Sequence, residues 1–71
     1  MTEFELLTKI GKKIKQFRME KKMTQYELAG ICAFEKATMS RLESGKTNVT
    51  LLTLLKISRA LNVPMSDFFV D

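Results

Sequence analysis

Apolar residues along this chain recur at three- and four-residue spacing and never settle into sustained alternation, which commits the fold to helices. Leu7, Ile10, Ile14 and Phe17 share one face of a first helix within residues 1–22, while Lys12, Lys13, Lys15 and Lys22 fall largely off it. Thr24 starts a second helix, because Glu27 three positions later completes a capping box that satisfies free amides at a helix start. Leu28, Ala29 and Cys32 give it a short apolar side. After a break at Ala33-Phe34, a third helix is expected near 35–44, with Met39 and Leu42 inward and Gly45 closing it. Lys46-Thr47-Asn48 reads as a polar loop. Thr50 caps a fourth helix over 51–61, in which Leu51, Leu54, Leu55, Ile57 and Leu61 exceed one narrow stripe. That excess implies a buried helix or one with a second contact surface. Val63-Pro64 stops the run, and residues 65–69 suit one last helical turn. The expectation is an all-α domain of five short helices.

With 71 residues the chain holds a single domain, 1–71, and 45% hydrophobic residues are too many for a disordered tail. A domain this size is marginal, with stability on the order of 4–10 kcal/mol, so a partner subunit would help it noticeably. There is no His and one Cys, Cys32. Serine and cysteine triads, most zinc geometries and an internal disulfide framework are thereby excluded. The expectation is no enzyme, no cofactor and no metal, with Cys32 a plain buried thiol on an apolar helical face. No apolar run approaches the roughly 18 residues of a membrane span. Glu3 and Glu5 precede the first Lys, which is not the order of a signal peptide. A cytoplasmic protein is expected.

The net charge is +4, and it is unevenly placed. Residues 9–22 (KIGKKIKQFRMEKK) carry seven basic side chains against one acid, whereas residues 23–71 balance to zero. Such a stretch is either a solvated face or the footprint of an anionic partner.

Three strings in register carry a resemblance: TQYELA (24–29), TMSRLESGKTN (38–48), and LLTLLKISRALNV (51–63) ahead of PMSDFF. Together, over residues 14–69, they resemble the Xre/Cro family of helix-turn-helix DNA-binding domains, which includes phage repressors and restriction-modification controller proteins. The resemblance implies a λ-repressor-like fold of five helices, with the second and third forming the helix-turn-helix. Ala29 is then the small residue that the crossing of those two helices needs. With Met39 and Leu42 inward, Lys36, Ala37, Ser40 and Arg41 project outward and Thr38 sits at the edge. These are side chains able to approach base edges in a major groove.

The resemblance further implies phosphate contacts from Gln25, beside the second helix's N-terminus, and from Lys46, Thr47 and Asn48. It also implies a partly buried structural pair between Arg18 and Glu43. Three residues depart from the family pattern. Ala33 stands where Gly is usual, at a position that often needs positive φ. Glu35 replaces Ser or Thr at the start of the recognition helix. Gly30 lies inside the second helix, at a cost of about 1 kcal/mol against Ala.

Phe17 and Met19 read as core or boundary fillers. Val49, Leu52, Phe69 and Val70 are hard to hide in so small a domain; they are scattered exposed apolar residues or a dimer contact. One domain reads too few base pairs to define a genomic site, so a homodimer on a palindromic operator is expected. The leading function is a sequence-specific DNA-binding transcriptional regulator, with no small-molecule ligand. A protein-interaction or antitoxin-type module keeping the same fold is the alternative. A membrane-surface helix fits poorly, since the apolar face of the first helix is needed for the core.

Overall fold

The computed structural model describes residues 1–70. Four α-helices follow one another: α1 (Glu3–Glu20), α2 (Gln25–Ile31), α3 (Lys36–Glu43) and α4 (Leu51–Leu61). The last of the five expected helices is a single 3-10 turn, Met65–Phe68, led in by Pro64. The described residues contain no strand.

Threonine starts three of the four helices. The Thr24 hydroxyl accepts from the Glu27 amide at 3.0 Å, and the Glu27 carboxylate accepts from the Thr24 amide at 2.8 Å, as the spacing predicts. Thr2 and Glu5 build the same box at the head of α1, both bonds 3.0 Å. Thr50 accepts from the Thr53 amide at 3.1 Å. Only α3 starts without a side-chain cap, on Glu35.

All four helices end alike. The amides of Met23, Phe34, Lys46 and Val63 reach back to the carbonyls of Arg18, Ala29, Arg41 and Ser58. In each case the preceding residue is left-handed: Lys22, Ala33, Gly45 and Asn62. This is the Schellman ending, which leaves few carbonyls orphaned but favours Gly at the left-handed position. Ala33 therefore does adopt the positive φ expected of it, at 59°. Met23, Phe34 and Val63 then fold onto the core, while Lys46 at the end of α3 stays exposed.

One cluster forms the core: Ile10 and Ile14 from α1, Leu28 and Ala29 from α2 with Cys32 just beyond, Met39 and Leu42 from α3, Leu54, Ile57 and Leu61 from α4, and Phe68. Phe17 meets the fully buried Phe68 edge-on, ring centroids 5.5 Å apart. Met19, expected as a filler, is exposed. Leu51, counted on the apolar side of α4, is exposed too, together with Leu52. The leucine excess of α4 therefore forms a second surface instead of burying the helix.

Gly11 sets the distance between α1 and α3. A Cβ there would lie 2.5 Å from the Glu43 carbonyl oxygen and 2.6 Å from that of Leu42. The backbone of α1 rests on the last turn of α3, and any side chain would push them apart.

Candidate helix-turn-helix DNA interface

Helices α2 and α3 are joined by the turn 32–35, and Ala29, the small residue expected at their crossing, is buried in the shared core. Met39 and Leu42 hold the inner side of α3 in the core. Its other side carries the expected set: Lys36, Ala37, Ser40 and Arg41 are exposed and Thr38 is half-buried. An eight-residue helix with two turns of contact on one side can present such a row only along the other.

The orientation of α3 is fixed at its C-terminal end by a buried polar cluster. Arg18 Nε donates to Glu43 Oε2 at 2.6 Å and Arg18 Nη2 donates to Glu43 Oε1 at 3.1 Å, a two-pronged pair. Both residues are more than nine-tenths buried. Arg18 Nη1 donates to the Met23 carbonyl at 2.7 Å, which ties the α1–α2 loop to the same cation. Gln25 Nε2 completes the cluster by donating to Glu43 Oε1 at 3.1 Å. Gln25, expected on a phosphate, thus bridges α2 to α3; its carbonyl oxygen and second N–H stay available. Nothing in the sequence signals that bridge.

Because Glu43 is occupied, it does not neutralise Arg41. Among the described residues no hydrogen bond or ion pair engages the side chains of Lys36 or Arg41. Lys46 and Asn48 are exposed and Thr47 is half-buried, in the loop that follows α3. Part of the positive charge of residues 9–22 is taken up within the fold. Arg18 is consumed by Glu43, Lys13 lies over the Phe17 ring at 5.9 Å, and Lys12 and Lys15 are exposed on α1.

Of the four residues assigned to a subunit contact, Leu52, Phe69 and Val70 are exposed. Val49 is half-buried and packs on its own core, which leaves less of it for a partner. Cys32 is buried, and burial raises its thiol pKa, with Lys56 opposing weakly. No group of three or more metal-ligating side chains occurs among the described residues, and no helix there is long and apolar enough to cross a membrane.

The family model of the Cro/C1-type helix-turn-helix DNA-binding domain matches residues 13–71. The chain belongs to the Cro/C1-type helix-turn-helix family. It is a DNA-binding transcriptional regulator of that type. Control protein C.MunI of a Mycoplasma species is 34% identical to it over 68 residues, 94% of this chain and 92% of that protein. Control protein C.BamHI of Bacillus amyloliquefaciens is 40% identical over 58 residues, 80% of this chain and 72% of its own. Among solved structures, the restriction-modification controller protein C.AhdI from Aeromonas hydrophila superposes with a TM-score of 0.85 at 28% identity, covering 89% of this chain and 96% of that one. The Cro/C1-type domain thus begins within α1, and α1 extends the helix about three turns ahead of it.

Proposed function

We propose that residues 1–71 act as one domain that dimerises and places α3 of each copy in successive major grooves of a palindromic operator. Lys36, Ala37, Thr38, Ser40 and Arg41 face base edges, while Gln25, Lys46, Thr47 and Asn48 hold phosphates. The observation that carries this reading is the pair of uncommitted cations on the outward side of α3, beside a carboxylate already taken by Arg18. A cation left unneutralised on a helix of this width suits guanine O6 and N7. Control lies in binding without catalysis, in the cytoplasm, where the protein meets double-stranded DNA. The likeness to control proteins and to a restriction-modification controller supports an operator ahead of restriction-modification genes; neighbouring reading frames for a methyltransferase and an endonuclease would bear this out.

The direct test is operator binding by Lys36→Ala and Arg41→Ala. Each is expected to weaken specific binding by about 1–3 kcal/mol and to relax one base position. Both side chains are exposed, so the melting temperature should hold. A wild-type base preference in either variant removes that residue from the readout. The half-sites should lie about 10–10.5 base pairs apart, centre to centre.

A further inference from the structure

Glu35 breaks the local pattern of this chain. Three helices open on a threonine whose hydroxyl caps them, and the one helix that carries the binding face opens on a glutamate that caps nothing. The Glu35 backbone has the extended conformation of an N-cap, with φ −78° and ψ 153°, and its carbonyl accepts from the Thr38 and Met39 amides. A Ser or Thr would therefore fit the position and cap it. Instead the side chain is exposed, and no hydrogen bond or ion pair engages it among the described residues. Its charge suits a helix N-terminus, but no hydrogen bond or ion pair among the described residues ties this carboxylate into the fold. It stands at the leading end of α3, next to Lys36.

Residues at the start of a recognition helix meet base edges. A carboxylate only accepts hydrogen bonds, so in a groove lined with phosphates it is repelled unless a base offers a donor. Guanine presents N7 and O6, both acceptors, and thymine presents O4 beside a methyl group. Adenine offers N6–H but sets the N7 lone pair beside it, facing the second carboxylate oxygen. Cytosine offers the N4 amino group with no acceptor next to it on its own major-groove edge. We infer that Glu35 is a specificity-determining residue that accepts from the N4 amino group of one cytosine in each half-site. It thereby excludes the other three bases there. This rests on the binding face proposed above.

The test is selection of bound sites from a random duplex library by the wild type, Glu35→Ser and Glu35→Gln. Serine is a good N-cap, so the first variant should be at least as stable to heat as the wild type. The wild type should select a site with one required cytosine per half-site. Glu35→Ser should keep the rest of that site and lose about tenfold discrimination at that position, and Glu35→Gln should move the preference there toward adenine. If both variants select the wild-type site unchanged at every position, the role of Glu35 is overturned while the binding face stands. A wild-type preference for another base at the position that changes overturns the cytosine assignment. A wild type that selects no site at all overturns the binding face itself.

Discussion

Glu43 anchors the C-terminal end of α3. It accepts from Arg18 and Gln25 and lies at the point where α1 touches α3 through Gly11. Glu43→Ala would leave the Arg18 guanidinium buried without its counter-charge, at a cost of about 3–5 kcal/mol. For a domain holding on the order of 4–10 kcal/mol in all, that variant should melt roughly 12–40 °C below the wild type, which circular dichroism would reveal. A melting temperature within a few degrees of wild type would mean that the pair contributes little. The two members of this pair were legible from the family resemblance, since their positions match. Gln25 and Gly11 were not. A helical glycine beside Ile10 and Ile14 hints at a close approach, but what it approaches is set by the crossing of two helices far apart in sequence.

Helix starts were more readable than helix ends. A capping residue acts on amides two or three positions away, so Thr24 with Glu27 announces itself locally, and Thr2 with Glu5 carries the same signature. The left-handed endings at Lys22 and Asn62 bear no such mark. Ala33 and Gly30 look interchanged by this measure: the alanine sits at positive φ, and the glycine sits within α2 with nothing within 4 Å of where its Cβ would be. Ala33→Gly should stabilise by about 1 kcal/mol by relieving the left-handed alanine, and Gly30→Ala by about 0.5–1 kcal/mol through helix propensity. Thermal melts of each variant and of the pair would show both gains; a loss at Gly30→Ala would mean that the added methyl group is not accommodated there. The capping boxes also set an acid dependence. Hydrogen bonds from the Thr2 and Thr24 backbone, and then from their side chains, hold the Glu5 and Glu27 carboxyls below their ordinary values. The unfolded chain then binds more protons, so this stability is present above the ordinary glutamate range and is lost as pH falls through the lowered folded values. Glu5→Gln with Glu27→Gln keeps a capping oxygen without the titration, and its acid melting curve should be flatter than the wild type's.

Over the whole molecule, the leucines of α4 were ambiguous in sequence because periodicity alone does not say which of two faces meets the core. The structure leaves Leu51 and Leu52 outside, with Phe69 and Val70 also uncovered. A dimer built there should be broken by the pair Leu52→Glu and Val70→Glu, giving a folded monomer by sedimentation that binds an operator weakly and without cooperativity. If that variant still sediments as a dimer, the subunits meet elsewhere. Charge acts at the same scale: a dimer touching roughly 6–10 phosphates should lose about 10³–10⁵ in affinity between 50 and 200 mM salt. A titration nearly flat in salt would favour the protein-partner reading.

The buried cluster around Glu43 has a thermodynamic consequence for recognition. It ties the rear of α3 to α1, to the α1–α2 loop and to α2 before any DNA arrives. On the proposed binding face, docking would order exposed side chains such as Lys36 and Arg41, at about 0.5–1.5 kcal/mol each, and should leave the backbone as it was. Calorimetry should accordingly find a heat-capacity change sized to the apolar surface covered in the complex, without the large excess that marks a segment folding as it binds. Differences in affinity among operator sequences would then report the chemistry of the bases and the stiffness of the duplex, with the protein serving as a nearly constant term.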